Sequence, residues 1–288
     1  MLNRSASLIK KCFGVVNKND NFKYEVLNDK KIGILTLCNP KKRNSLNIQM
    51  VKDLSEQFKD IAAQDYSSQN YAKVVILKSE GTVFSAGHDL KEIKELQDKN
   101  AFEEQKQLFL RCANMMTYIQ KSLPQITIAQ VHNFATAAGC QLACSCDLIV
   151  ASKSASFSCP GVNIGLFCST PGVAIIRAMA NKKKAFEMLV TGDPISAQEA
   201  YQHGMINQYV ENNEELEKQT LKLAEKIASH SGETLGFGKL AFYKQQNMSD
   251  LEQVYDFASS TMAQNLRIED CVEGIKAFNE KRHAHFKK

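Results

Sequence analysis

Between Gln125 and Ile176 the chain sets two short apolar runs around a turn built from its smallest side chains. Ile126, Thr127, Ile128 and Ala129 read as a strand, and Ala137-Ala138-Gly139 as a tight turn. A segment with helical spacing, Leu142 to Cys146, follows, and then a second run, Leu148-Ile149-Val150-Ala151. A strand that passes through such a turn into a helix start aims main-chain N–H groups at a negative charge. A charge developing on an acyl oxygen would make this turn one half of an oxyanion hole. Residues 84–89, Phe-Ser-Ala-Gly-His-Asp, form the second small-residue turn and the candidate for the other half.

The 288 residues suffice for one large α/β domain with an appendage, and 44% hydrophobic residues support a packed core. No run approaches the length of a membrane span. Nine cysteines, an odd number, fit free thiols in a reducing compartment better than a disulfide framework. Cys140, Cys144 and Cys146 sit close together. Small residues packed between strand and helix explain them better than a metal, which pairs near ligands with distant ones. Residues 1–19 carry Arg4, Lys10, Lys11 and Lys18 and no acid before Asp20. On a helical wheel Arg4, Lys11 and Lys18 share one face, opposite Leu2, Ile9, Phe13 and Val16; the pattern reads as a mitochondrial transit peptide, with a frayed basic terminus as the alternative. Without those four cations the formal charge of +5 drops to +1, so a nucleic-acid partner is not expected.

Along the chain, residues 22–37 read as a hairpin about Asn28-Asp29-Lys30-Lys31, and Asn44-Ser45 as the opening of a helix with Leu46, Met50, Leu54, Phe58 and Ile61 on one face. Val74 to Leu77 reads as a buried parallel strand, Leu90 to Gln97 as a charged helix behind Asp89, and Phe102 to Gln120 as a helix with a stripe from Leu108 to Ile119. Ser196 and Glu199 have the spacing of a capping box, and Gly204 ends that helix. From Asn213 onward the pattern is helical, ending in a basic tail that includes Lys281. Three regions are expected: a leader over 1–19, a core over 20–212 and a helical region over 213–288.

Four stretches in order, FSAGHDLKE (84–92), AAGCQLACSCDLIVAS (137–152), FSCPGVNIGLFCSTPG (157–172) and TGDPISAQEAYQHGMIN (191–207), resemble the crotonase superfamily, the enoyl-CoA hydratase/isomerase family. The resemblance runs from about Val26 to Arg282. It implies an α/β fold: a crotonase-like spiral of ββα units in two sheets, with a C-terminal helical region that builds trimers. It implies an acyl-CoA thioester as partner, held by the main-chain N–H groups of Ala86 and Ala138, in a homotrimer or hexamer of the mitochondrial matrix. Arg43 and Lys281 become candidates for contact with coenzyme A, which enters as part of the substrate; no other cofactor and no metal is implied.

The departures from the family pattern matter more. Gln141 and Gly161 stand where a hydratase of this family has its two glutamates. Neither group exchanges a proton near neutral pH, and general acid–base catalysis needs one that does. Asn163 is the nearest polar side chain to the second position and orients rather than abstracts. Ser-Ala-Gly-His-Asp is similar to the turn of malonyl-type acyl-CoA decarboxylases, which makes His88 a candidate to hydrogen-bond a substrate carboxylate, against a plain structural role. Two readings stay open: a non-hydratase acyl-CoA enzyme of fatty-acid metabolism, for example decarboxylase-type, and a non-catalytic acyl-CoA binder or regulatory subunit of a hydratase. Hydration with water held by Gln141 and Asn163 would forfeit about a hundred- to ten-thousand-fold in rate. A nucleophilic Cys168 or Ser169 lacks a Gly-x-Ser-x-Gly elbow or an evident base.

Overall fold

The computed structural model describes residues 13–287 apart from residue 67. Its main sheet has seven strands in the order β1-β2-β3-β4-β5-β7-β10: Phe13–Lys18, Phe22–Leu27, Ile32–Leu37, Val74–Ser79, Ile126–Val131, Leu148–Ser152 and Gln208–Val210. The first three are antiparallel neighbours, and every pairing from β3 to β10 is parallel. A small second sheet holds β6 (Ala135–Thr136), β8 (Ser156–Ser158) and β9 (Ile195–Ser196).

Parallel strands need long crossovers, and the helices supply them. α1 (Ile48–Ala62) links β3 to β4; α2 (Leu90–Asp98) and α3 (Phe102–Lys121) link β4 to β5; α4 (Ala138–Ser145) leads to β7. The apolar runs of β4, β5 and β7 bury both faces of the sheet. Val75, Leu77, Ala129, Val131, Ile149 and Ala151 join the larger core. Val74, Ile76, Ile128 and Val150 face the other way and pack with Leu216 and Ala224 of α8 (Asn213–Ala228). The crotonase-like α/β expectation and the helical C-terminal region are therefore met, as are the hairpin and the capping box at Ser196 and Glu199.

Two local readings are corrected. Residues 1–12 lie outside the described residues, but Phe13, Val16 and Lys18, placed on a helical face from sequence, belong to β1. This strand pairs antiparallel with β2 and covers its otherwise open edge. Asn44-Ser45 does not open α1. Arg43 and Asn44 are both left-handed (φ 52° and 49°), and Asn47 caps the helix by accepting from the Met50 N–H. Asn44 is instead a buried staple: its side chain accepts from Asn39 N and donates to the carbonyls of Glu80 and Val83.

After α5 (Ser169–Ala178), α6 (Lys182–Thr191) and α7 (Ala197–Gln202), the chain closes with α8, α9 (Gly232–Gln245), α10 (Leu251–Asn265) and α11 (Glu269–Asn279). None of these helices is long and apolar enough to cross a membrane, nor is any other among the described residues. α9 is riveted to the sheet by Lys239, whose ammonium lies 2.8 Å from the Asp147 carboxylate and 2.7 Å from the Gln125 carbonyl oxygen. The same carboxylate oxygen accepts from the Thr127 N–H and hydroxyl. Removing one partner of a buried pair leaves the other charge uncompensated. Lys239→Met is therefore expected to lower unfolding free energy by about 3–5 kcal/mol, with much of the loss recovered on adding Asp147→Asn. Urea unfolding of both variants checks this.

Candidate active site

Both small-residue turns lie beyond the carboxyl ends of adjacent parallel strands: residues 84–89 follow β4, and Ala137 follows β5 through β6. Such ends are where open α/β sheets place ligands. The first turn is anchored almost completely by its own main chain. Phe84 N donates to Phe134 O, Leu46 N to Gly87 O and Thr136 N to Ser85 O. The Ser85 hydroxyl donates to Asn44 O at 2.8 Å. Ala86 N donates to Arg43 O at 3.0 Å. The expected donor at Ala86 is thus already engaged, because the left-handed pair Arg43-Asn44 turns the Arg43 carbonyl toward it. The next N–H without an acceptor among the described residues is that of His88.

The second turn presses on the first. Gly87 has φ +85°, and a Cβ there would stand 2.9 Å from Thr136 O and 3.0 Å from Ala138 N. A Cβ at Gly139 would stand 2.3 Å from Ser85 O. Only glycine permits this backbone-on-backbone approach. Ala137 takes φ 52° and ψ −119°, a strained conformation for a residue with a side chain, and its N–H donates to Ser158 O. Ala138 is the first residue of α4, and its N–H has no acceptor among the described residues. His88 and Ala138 therefore present two free main-chain donors to one cavity, at a helix N-terminus.

That cavity measures about 450 Å³ and is walled by Leu90, Ile93, Phe109, Ile164, Leu166 and Phe167, with Asn163, Cys168, Ser169 and Thr170 adding polar atoms. No carboxylate lines it among the described residues. Leu166 and Phe167 line it, whereas Met115 is in the core and Phe134 is exposed outside it.

The His88 ring sits at the cavity wall. Its Nδ1 lies 3.0 Å from the Leu46 carbonyl oxygen, and Phe109 stands edge-on at 5.3 Å. A carbonyl only accepts, so Nδ1 carries the hydrogen and Nε2 keeps a lone pair with no partner. Burial lowers the pKa of the ring, opposed by the Leu46 hydrogen bond. In this tautomer the ring nitrogen without a partner, Nε2, has no N–H to offer a substrate carboxylate.

Gln141 lies one helical turn beyond Ala138; it is buried and lines an adjoining cavity of about 600 Å³, which shares Thr170 with the first and is also lined by Ser145, Arg177 and Tyr243. Its Oε1 has no hydrogen-bond partner. Arg43 and Lys281 line neither cavity; both are exposed and left-handed. Asn163 is on the cavity wall, in the 3-10 turn Pro160–Ile164. At Gly161 the loop has closed over the missing side chain: a Cβ would stand 2.1 Å from Leu166 O and 2.8 Å from the Cys168 sulfur. Sequence reasoning missed the buried role of Asn44, because its partners are distant carbonyls, and weighed Cys168 only as a nucleophile.

The family profile described as enoyl-CoA hydratase/isomerase matches residues 28–288. The human protein named enoyl-CoA hydratase domain-containing protein 3, mitochondrial, is 47% identical over 248 residues, covering 86% of this chain and 78% of the relative. A crystal structure of that human protein superposes with TM-score 0.81 at 43% identity, covering 95% and 99% of the two chains. An enoyl-CoA hydratase crystal structure from Mycobacterium smegmatis gives TM-score 0.85 at 38% identity, covering 94% and 100%.

The strain at Ala137 is measurable. Ala137→Gly keeps the turn while removing the Cβ from a mirror-image backbone region, so it is expected to raise stability by about 1 kcal/mol. A urea midpoint that falls instead would show the Cβ packing to outweigh the strain.

Proposed function

This chain belongs to the enoyl-CoA hydratase/isomerase family, and from that premise we propose that its 450 Å³ cavity binds an acyl-CoA thioester with the thioester oxygen between the His88 and Ala138 N–H groups. The observation that carries this reading is that His88 and Ala138 line one cavity and that neither N–H has an acceptor among the described residues. Two such donors stabilise a developing enolate by several kcal/mol, about 3 each in comparable sites.

The reaction is not hydration. Water activation needs a titrating base within hydrogen-bond reach; the wall has no carboxylate, and the free Nε2 of His88 is buried away from the cavity space. Loss of CO2 from a malonyl-type thioester needs none: the C–C bond breaks, and its electron pair passes to the oxygen held by the two N–H groups. A substrate carboxylate set against Ile93, Phe109 and Phe167 finds few donors there, and departure as CO2 removes its charge from that wall. Asn163 orients the substrate at the mouth. The relatives named mitochondrial support a mitochondrial place; its setting in matrix fatty-acid metabolism is part of the proposal. The alternative, an acyl-CoA binder without turnover, uses the same two donors and stays the second reading because Gln141 does not line the cavity that holds them.

Purified protein lacking residues 1–12 is expected to bind acyl-CoAs by calorimetry and to release CO2 from malonyl-type ones by mass spectrometry. Binding with no product leaves only the second reading. Restoring both glutamates, Gln141→Glu with Gly161→Glu, is expected to yield no hydratase and to cost at least about 2 kcal/mol, since Leu166 O occupies the space of the new Cβ.

Exposed Leu251, Tyr255 and Met262 on α10 and Val272, Ile275 and Phe278 on α11 support a homo-oligomer, trimer or hexamer, that covers them. Light scattering is expected to give at least three copies; a monomer at micromolar concentration would remove that assignment.

A further inference from the structure

An enolate formed by loss of CO2 must take a proton at its α-carbon before product leaves, and the cavity has no carboxylic acid to give one. The His88 ring presents a bare lone pair at Nε2 and is no donor. The remaining X–H groups on the wall are the Thr136, Ser169 and Thr170 hydroxyls, the Asn163 amide and the Cys168 thiol. In water a thiol is the strongest acid among these groups, although the surroundings of Cys168 raise it.

Its position is equally telling. The Cys168 sulfur lies 2.8 Å from the point where a side chain at residue 161 would begin. The thiol thus fills the start of the space that Gly161 leaves, from seven residues further along the chain. Cys168 is the N-cap residue of α5 and is buried except where it meets the cavity.

We propose that Cys168 is a catalytic residue of this cavity, the donor that protonates the α-carbon of the thioester enolate. The proposal rests on the decarboxylase reading of the site. The α-carbon gains the thiol proton, the enolate C=C pair forms the new C–H bond, and the thioester carbonyl re-forms at the two N–H groups. The thiolate left behind takes its proton back from water when product leaves.

The surroundings suit a donor that starts each cycle protonated. The Cys159 thiol beside it, followed by burial, pushes the Cys168 thiol well above its usual range. Such a group is a poor nucleophile and a poor base at neutral pH, which separates this role from acyl transfer to sulfur. A thioester enolate is a far stronger base than any thiolate, so the transfer remains downhill. The transient thiolate meets one donor, the Gly161 N–H. Cys159 in turn contacts Cys140, and Cys140 contacts Cys144, so four thiols run from α4 to the cavity wall.

The test uses methylmalonyl-CoA in D2O with wild type, Cys168→Ala and Cys168→Ser, reading CO2 release and deuterium at C2 of the propionyl product by NMR. Wild type is expected to place deuterium on one face. Cys168→Ala is expected to lose about a hundredfold in kcat and to place deuterium on both faces, with acyl-CoA affinity by calorimetry unchanged. Cys168→Ser, which keeps a weaker donor in place, should retain one-face delivery with kcat lowered about tenfold. Full rate and one-face delivery in Cys168→Ala would overturn the assignment while leaving decarboxylation standing. Should Cys168→Ala not fold, an unchanged kcat in Cys168→Ser overturns it instead. A wild type that binds but releases no CO2 overturns the decarboxylase reading and this role together.

Discussion

The site depends on one steric fact: two turns from different parts of the chain meet backbone to backbone. The Ser85 carbonyl lies where a Cβ at Gly139 would be, and Ala138 N where one at Gly87 would be. No side chain separates them, so the two free N–H groups cannot drift apart without breaking the clamp. The clamp needs support on both sides. Asn44 and the Arg43 carbonyl fix the first turn from beneath, and the Ser158 carbonyl fixes the second through Ala137 N. Electrostatic stabilisation of this kind works because the donors are aimed before the charge appears.

The sheet makes the meeting possible. β4 and β5 are parallel neighbours in register, Val74 opposite Ile126, so the segments leaving their carboxyl ends start side by side. An isolated bridge, Ser85 with Ala135, extends that parallel pairing past the strands into the turns. The bond between Lys239 and Asp147 then holds α9 across the other ends of these strands, with Thr127 of β5 as its third member. Burial lowers the pKa of Lys239, and the Asp147 carboxylate beside it opposes that shift.

What was legible in the sequence was what is encoded locally. The hairpin shows as two alternating runs about a polar turn, and the capping box as Ser196 and Glu199 three apart. The turn at Ala137 to Gly139 shows as a run of small residues because any larger side chain at 139 is sterically barred. What was not legible depends on distant partners. Which N–H of the first turn stays free is decided by the Arg43 carbonyl, 43 residues before Ala86, which turns toward it only because Arg43 and Asn44 are left-handed. Phe13 and Val16 fit a helical wheel as well as a strand, and the open edge of β2 decided between them. Gln141 sits on the same helix as Ala138, yet Ala138 works through its main chain, so sharing a face gave no guide to the direction of the Gln141 side chain.

Gly161, proposed to stand in place of a hydratase carboxylate, is not an empty position. A glycine that merely lacked a side chain would leave space at 161, and a glutamate could be returned to it. Here the segment from Pro160 to Cys168 has folded into that space, with Leu166 O and the Cys168 sulfur against the Gly161 α-carbon and Leu166 N donating to Gly161 O. The backbone has committed to having nothing at 161. Meanwhile the donors that stabilise negative charge on oxygen are main chain and survive any change of side chain, including Ala at 138 and His at 88. A site that keeps its charge stabilisation and gives up its bases is suited to reactions in which the substrate supplies its own electron pair. Breaking a C–C bond to release CO2 is such a reaction, and the remaining requirement is then a proton donor rather than a base.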